Sequence, residues 1–72
     1  MNTPKFVRSE RGLVNVSYIR RVYIEPPQYN LTQYIVVAEV DGIGGGNDIL
    51  FRADTEKECQ KYVDDFLKEE SL

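Results

Sequence analysis

The sequence predicts an α+β fold in which an antiparallel meander of four or five strands is packed by one C-terminal helix. Through residue 53, segments rich in Val, Ile, Tyr and Phe alternate with turn-forming residues, which is the pattern of short strands. The links between these segments are too short for parallel crossovers, which need roughly a dozen residues or more. Beyond residue 54 the apolar residues recur at helical spacing, which predicts a single closing helix.

The strands are predicted as short runs bounded by turns. They lie at residues 5–8, 13–16, 19–25, 33–40 and 48–53. Arg11-Gly12 makes a tight link after the first strand, and residues 15–18 form a one-turn break after the second. Residues 26–30 begin with two prolines and form a longer loop, and the glycine-rich residues 41–48 connect the last two strands.

The helix is predicted at about residues 55–69. Its apolar face consists of side chains spaced three and four positions apart, namely Cys59, Tyr62, Val63, Phe66 and Leu67. Thr55 followed three positions later by Glu58 fits a capping box, in which the hydroxyl accepts a hydrogen bond from an early backbone N–H. The carboxylate of Glu58 is expected to reach back to the cap.

The composition indicates one small folded domain that covers residues 1–72. The chain has 42% apolar residues and a net charge of −3, which is typical of a sequence that folds. Cys59 is the only cysteine, so no internal disulfide is possible, and this predicts a reducing, cytoplasmic location. The longest apolar run, at residues 35–38, is too short to cross a bilayer, which predicts no membrane partner.

Residue types that support catalysis or metal binding are scarce. The chain has no histidine, so Ser-His and Cys-His pairs are impossible, and a single cysteine cannot form a zinc site. Cys59 lies on the apolar helical face, where a buried structural thiol is expected rather than a nucleophile. Acidic pairs at residues 64–65 and 69–70 lie on the solvated side of the helix. We therefore predict no enzyme, no catalytic residues, no cofactor and no metal.

The glycine-rich stretch DGIGGGND at residues 41–48 does not fit a nucleotide-binding motif. A dinucleotide loop needs Gly-x-Gly-x-x-Gly opening a helix, but here the third glycine position is Asn47 and a strand follows. Residues 44–50 resemble one calcium-binding repeat of the RTX type, which implies Asp48 as a ligand. In that family the ion lies between stacked repeats, whereas this sequence contains one copy, so we predict a flexible turn rather than a calcium site.

A second face of the sheet is expected to extend beyond the reach of the single helix. In residues 33–40 both alternating sets are apolar, because Ile35 and Val37 oppose the set that contains Val36. With Ile49 and Phe51 assigned to the helix-covered side, the candidate interface residues are Tyr23, Ile35, Val37, Leu50 and Arg52. Aromatic and arginine side chains are favoured in protein interfaces. The alternative, in which strand curvature and N-terminal residues cover this face within the monomer, stays open.

The second face leads to a functional prediction. A chain this small cannot hide a large apolar surface by itself. We therefore predict a non-enzymatic binding module that acts through its sheet surface, by docking on a protein partner or by self-association as a homo-oligomer. One form of this hypothesis is a phage or plasmid inhibitor that, as a small acidic protein, occupies a basic nucleic-acid site of a host machine.

The alternative function is nucleic-acid binding by the basic N-terminal half. Residues 1–24 hold five basic residues against one acidic residue, whereas residues 25–72 hold four against eleven. The candidate patch consists of Lys5, Arg8, Arg11, Arg20 and Arg21. The overall pI near 4.8 argues against unaided binding of phosphate backbones.

Residues 6–24, FVRSERGLVNVSYIRRVYI, resemble the strand-turn-strand segment of LytTR-type DNA-binding domains. The matching residues are Phe6, Arg8, Arg11, Val14, Asn15 and Ile19. Glu10 and Gly12 replace the histidine and serine of that pattern. This resemblance implies a DNA-binding role for the basic half. Over its whole length, with FRADTE at 51–56 leading into the closing helix, the chain resembles small uncharacterised bacterial proteins with an antiparallel sheet and a C-terminal helix, which implies no activity.

Overall fold

A computed structural model describes residues 5–29, 31–42 and 45–70, with residues 69–70 described as backbone only. The elements are β1 (Phe6–Ser9), β2 (Gly12–Asn15), a 3-10 helix (Val16–Tyr18), β3 (Ile19–Glu25), β4 (Tyr34–Val40), β5 (Gly46–Ala53) and α1 (Glu56–Glu70). This α+β arrangement confirms the predicted fold class. Within the described residues, however, the strands form two antiparallel sheets instead of one meander: a β1–β2 hairpin and a three-stranded sheet in the order β3-β4-β5.

The break between the two sheets lies at the 3-10 helix. Oδ1 of Asn15 accepts a hydrogen bond from the backbone N–H of Ser17 at 2.9 Å, which turns the chain at the end of β2. At the other end of the turn, the Tyr18 carbonyl accepts a hydrogen bond from the N–H of Asp41 at 2.8 Å. Because the chain changes direction before β3 begins, β2 does not pair with β3, and the predicted meander is divided.

The β1–β2 hairpin turns one face inward and exposes the other. Val7 pairs with Val14, which is buried, and Val7 packs against the core beneath α1. On the opposite face, Phe6 is 57% exposed and Leu13 is 68% exposed. Gly12 begins β2 with a φ of +130°, a conformation that favours glycine. The hairpin therefore contributes to the core and also carries apolar side chains into solvent.

The three-stranded sheet buries one face against α1. Cross-strand pairing places Ile24, Val36 and Phe51 in one row across the sheet. The buried residues of this core are Val36, Ala38, Leu50, Ala53 and Cys59. From the helix, the Tyr62 ring stacks on the Phe51 ring with centroids 4.7 Å apart. The helix thus covers the side of β4 that carries Val36 and leaves the opposite side of the sheet uncovered by α1.

A bulge at Leu50 changes the predicted faces of β5. Val36 pairs with Phe51 but Val37 pairs with Ile49, so Leu50 has no directly opposed residue on β4. The extra residue brings Phe51 to the helix-covered face and Ile49 to the other face. Leu50 itself is 8% exposed and belongs to the core. The prediction that Leu50 lies on the second face is therefore wrong, because it assumes unbroken alternation along the strand.

Thr55 stabilises the first turn of α1. Its Oγ1 accepts a hydrogen bond from the backbone N–H of Glu58 at 3.2 Å, as the capping pattern predicts. The Thr55 hydroxyl also donates to Oε1 of Glu58 at 3.1 Å, so the carboxylate reaches back to the cap as predicted. Glu56 and Glu58 in the first turn and Lys68 in the last turn complement the helix dipole.

Candidate interaction surface

The face of the three-stranded sheet opposite α1, which we call the outer face, consists of three cross-strand rows. The rows are Arg21–Glu39–Asn47, Tyr23–Val37–Ile49 and Glu25–Ile35–Arg52. Residues directly opposed across antiparallel strands point to the same side of a sheet, so these side chains share one face. The middle row is largely apolar, and the two flanking rows carry the charged groups. The outer face therefore has an apolar centre between charged borders.

The centre of the outer face is buried, and its surroundings are half-buried. Val37 lies in the middle of the central strand and is only 3% exposed, so it packs against its neighbours on the outer face and has almost no surface for a partner to contact. Tyr23, Ile35 and Ile49 surround it and are half-buried. Among the described residues, none of these four side chains belongs to the core beneath α1. We call Tyr23, Ile35 and Ile49 the apolar patch.

Arg21 is held at one border of the apolar patch by two contacts. Its guanidinium carbon lies 4.7 Å from the centroid of the Tyr23 ring, within the range of a cation–π interaction. Nη2 of Arg21 lies 2.8 Å from Oε2 of Glu39, while Nη2 of Arg20 lies 3.5 Å from Oε1 of the same carboxylate. The side chain of Arg21 is nevertheless 62% exposed. It therefore presents its guanidinium to solvent in a restrained orientation.

Arg52 is held at the opposite border by Glu10 in the β1–β2 turn. Nη2 of Arg52 donates to Oε1 of Glu10 at 2.9 Å, and Nε of Arg52 donates to the second carboxylate oxygen. This two-point hydrogen bond lowers the pKa of Glu10 and raises the pKa of Arg52, because it favours the charged form of both groups. The pair fixes the guanidinium plane of Arg52 beside Ile35.

The outer face contains most, but not all, of the interface residues predicted from the sequence. Tyr23, Ile35, Val37 and Arg52 lie on it, as their positions in the three rows show. Leu50 does not, and Ile49, which the sequence assigned to the helix-covered side, takes its place. The run Ile49-Leu50-Phe51 is apolar throughout, so its sequence does not indicate which of the three residues faces outward.

The basic residues predicted as a nucleic-acid patch separate into two groups. Arg20 and Arg21 lie on β3 and are ion-paired with Glu39. The second group, on and beside the hairpin, consists of the exposed residues Lys5, Arg8 and Arg11. In the part of the chain that the structure describes, the guanidinium groups of Arg8 and Arg11 contact no acidic side chain. The structure therefore divides the predicted patch into the two arginines of β3 that are paired with Glu39 and a separate group around the hairpin.

Asp48, which the RTX resemblance implies as a calcium ligand, forms hydrogen bonds inside the fold. It is 6% exposed, and its Oδ2 accepts a hydrogen bond from the Ser9 hydroxyl at 2.7 Å. Its Oδ1 accepts from the backbone N–H of Ile49 at 3.0 Å. Beside these contacts, the N–H of Glu10 donates to the Ile49 carbonyl at 2.9 Å. Asp48 thus attaches the hairpin turn to β5.

The glycine-rich connection between β4 and β5 is shaped by close backbone contacts. Gly42 has a φ of +104°, and its carbonyl accepts a hydrogen bond from the N–H of Gly45 at 2.9 Å. A Cβ at Gly45 would collide with the carbonyl oxygen of Val40, so only glycine fits there without a backbone shift. Residues 43–44 lie outside the described residues, and the predicted flexible turn falls partly on them.

Few chemically reactive groups come together in the fold. Among the described residues, no three Asp, Glu or Cys side chains are grouped so as to hold a metal ion. Cys59 is 0% exposed, and burial raises the pKa of its thiol, with the carboxylate of Glu58 adding to the effect. A buried, protonated thiol is a poor nucleophile. No helix in the described ranges has the length and apolar character needed to cross a bilayer.

Comparison with known proteins gives no match. No protein-family model, no curated protein and no solved structure matches this chain. The resemblance of residues 6–24 to LytTR-type domains, and that of the whole chain to small bacterial proteins, therefore stay predictions.

Proposed function

We propose that this protein is a non-enzymatic interaction module that binds another protein through its outer face. The observation that supports the proposal is the apolar patch of Tyr23, Ile35 and Ile49 on the side of the sheet opposite α1, bordered by Arg21 and Arg52. An apolar centre with a charged rim is the common anatomy of a protein interface. Tyrosine and arginine are also the residue types that contribute most to binding energy in such interfaces.

The restraint on both arginines adds support. Arg21 is stacked on Tyr23 and paired with Glu39, and Arg52 is paired with Glu10. Long side chains that are already ordered lose less conformational entropy when a partner binds. The outer face therefore presents its charged rim in a nearly fixed geometry.

The mixed charge of the rim favours a protein partner over a phosphate backbone. Each arginine at the border lies beside a carboxylate, so a polyanion would meet Glu39 and Glu10 together with the arginines. A protein surface with charges of both signs can complement such a rim. The proposal includes a cytoplasmic location, which rests on the single cysteine, and the inhibitor of a host machine is one form of it.

Site-specific photo-crosslinking tests the proposal. A photoreactive phenylalanine analogue replaces Ile35 on the outer face or, as a control, Lys57 on the exposed side of α1, and the protein is irradiated in growing bacteria. We expect a discrete crosslinked species from position 35 and none from position 57. The introduction of Ile49→Asp should abolish this product, whereas Leu13→Asp, at a 68% exposed position of the hairpin, should leave it unchanged. Equal crosslinking from both positions, or loss with both aspartate variants, would contradict the proposal.

Nucleic-acid binding is the second candidate. It is favoured by the exposed Arg8 and Arg11, which form no ion pair within the described residues and lie on the hairpin that also exposes Phe6. Here phosphate contacts predict binding that weakens as salt rises. A fluorescent oligonucleotide is titrated at low and moderate salt with the wild type, with Arg8→Ala/Arg11→Ala and with Lys57→Ala/Lys61→Ala as a charge-matched control. Binding that is lost only in the arginine variant and weakens with salt would support this candidate. Binding that is absent, or equal in both variants, would exclude it.

A further inference from the structure

Strand β3 forms an edge of the three-stranded sheet. Within the described ranges, the strand order β3-β4-β5 gives β3 one neighbour, and the pairing with β4 is regular from Arg21 to Glu25. A register shift at Arg20 interrupts the pairing before this segment, and Pro26, which lacks a backbone N–H, follows it. An edge strand presents a row of N–H and C=O groups that another strand can pair with. The segment RVYIE is therefore the part of the edge that a further strand could extend.

The sequence of this segment is complementary to itself when two copies run antiparallel. If Tyr23 of one copy lies opposite Tyr23 of another, Arg21 lies opposite Glu25 at both ends and Val22 lies opposite Ile24. Opposite charges and paired apolar side chains at directly opposed positions stabilise antiparallel strands. A shift by two residues in either direction would lose the Arg21–Glu25 pairs. The complementarity thus favours a single register.

We propose that a second copy of this chain pairs with β3 in this register and forms a homodimer with one continuous six-stranded sheet. Since directly opposed residues share a face, Tyr23 meets Tyr23 on the outer face, and both helices lie on the other side. The two apolar patches then lie next to each other across the dimer axis. The contact uses the backbone of β3, so it goes beyond the proposed function and does not depend on a protein partner at the outer face.

The side chains at both ends of the segment can take part in these new pairs. The guanidinium of Arg21 has five N–H groups, and its Nη2 atom is the one that contacts Glu39. The side chain of Arg21 is 62% exposed, so its other N–H groups can reach a second copy. Among the described residues, Glu25 accepts a hydrogen bond from Nε2 of Gln28 at 3.2 Å. A carboxylate can accept about four, so acceptor positions are available for the second copy. The contacts of Arg21 with Glu39 and of Glu25 with Gln28 can therefore be kept in the dimer.

An apolar groove runs along the same edge on the helix side. It has a volume of about 250 Å³ and is lined chiefly by Val16, Ile19, Val22, Val63, Phe66 and Leu67. Leu67 is 53% exposed although it belongs to the apolar face of α1. The proposed register places Ile24 of the second copy opposite Val22, at the border of this groove. Dimerisation would therefore bury apolar surface that one copy leaves open.

Charge reversal with complementation tests the proposal. Light scattering with size-exclusion chromatography is run over a concentration series up to the millimolar range for the wild type, Arg21→Glu, Glu25→Arg and an equimolar mixture of the two variants. We expect a wild-type species of twice the 8.3 kDa chain mass. Each variant alone places like charges opposite each other and should raise the dimer Kd by roughly tenfold or more. In the mixture, the carboxylates of one variant face the guanidinium groups of the other, and dimers should return.

Two controls keep the result interpretable. Arg8→Glu, a reversal on the hairpin away from β3, should leave the dimer Kd unchanged, and cooperative thermal melting shows which variants are folded. Because Arg21→Glu also removes the ion pair with Glu39, a register-specific crosslink provides a second measurement. Tyr23→Cys, at the dimer axis, should form an intermolecular disulfide under mild oxidation, whereas Ile35→Cys, on the central strand, should not.

The outcomes separate this inference from the proposed function. A monomer at every concentration together with no disulfide from Tyr23→Cys would overturn the dimer while leaving the photo-crosslinking result at position 35 untouched. A dimer whose Kd is the same in the wild type and in both reversal variants would also overturn it, because association would then use another surface. Return of the dimer in the mixture, with the disulfide at position 23, would establish the proposed register.

Discussion

Glu10 in the β1–β2 turn and Arg52 in β5 are bound to each other by two hydrogen bonds across a sequence separation of 42 residues. The pair connects the hairpin to the sheet and also orients an arginine at the border of the apolar patch. One ion pair therefore links the attachment of the N-terminal hairpin to the geometry of the candidate binding surface.

The stability contributed by this pair should disappear in acid. Because Arg52 lowers the pKa of Glu10 below its ordinary value of 4.5, the contribution is present above pH 4.5 and is lost as the pH falls through the lowered pKa. Thermal melting of the wild type and of Glu10→Gln across this range should show a difference at neutral pH that vanishes in acid. Arg52→Gln should give the same profile, and the double variant should lose nothing more. A difference that stays constant with pH would contradict this assignment.

The Ser9–Asp48 hydrogen bond should contribute measurably to folding. Its acceptor is buried and charged, and the donor–acceptor distance is 2.7 Å. Asp48→Ala should destabilise the protein by about 1–3 kcal/mol, because the half-buried Ser9 hydroxyl and Ile49 N–H would lose this acceptor. A double-mutant cycle with Ser9→Ala in urea should give a coupling energy of about 1 kcal/mol. Asp65→Ala, at an exposed position of α1, is the control and should change stability little. Additive effects of the two alanines would show that the bond is absent in solution.

The bulge predicts losses of stability of different size when the adjacent aliphatic side chains of Ile49 and Leu50 are truncated. Leu50 is in the core, so Leu50→Ala should destabilise by about 2–4 kcal/mol, whereas Ile49→Ala, on the half-buried outer face, should cost about 1 kcal/mol. Urea denaturation of both variants measures the difference directly. If Ile49→Ala proved the more damaging change, the alternation assumed from the sequence would be correct and the bulge would not exist in solution.

The thiol of Cys59 should be unreactive until the protein unfolds. The residue is 0% exposed, and burial raises its pKa, so little thiolate forms at neutral pH. Reaction with a chromogenic disulfide reagent should therefore accelerate in proportion to the unfolded fraction as urea is added. Since the folded pKa is raised above 9.0, stability should also fall as the pH rises beyond that value. Rapid modification of the native protein at neutral pH would contradict the buried position.

The sequence predicts the helix and strands that are marked by apolar spacing and capping residues. It misses the features that depend on how strands pair with each other. Strand β3 lies at the predicted positions 19–25, and α1 begins next to the predicted cap Thr55, because apolar spacing and capping residues act within a few positions. The bulge at Leu50 depends on how β5 meets β4, which no local pattern specifies. Because of the bulge, Ile49 lies on the outer face where the sequence predicted Leu50.

The division of the strands into two sheets could also not be predicted from local sequence patterns. The turn at residues 15–18 is visible in the sequence, but its direction decides whether β2 continues the sheet or leaves it. The same holds for the basic residues: their number can be counted, whereas the pairing of Arg20 and Arg21 with Glu39 follows from the β3–β4 register. Composition therefore predicts which charged residues could form a surface. It does not predict which of them are neutralised by ion pairs with residues distant in the sequence.

The attachment of the hairpin to β5 determines the order in which the domain can be completed during synthesis. Residues 6–15 leave the ribosome before their partners Asp48, Ile49 and Arg52 do. Until then the inward side chains Val7 and Val14 have no sheet to pack against. The hairpin can therefore dock only after β5 is available, which makes its docking a late, long-range step of folding.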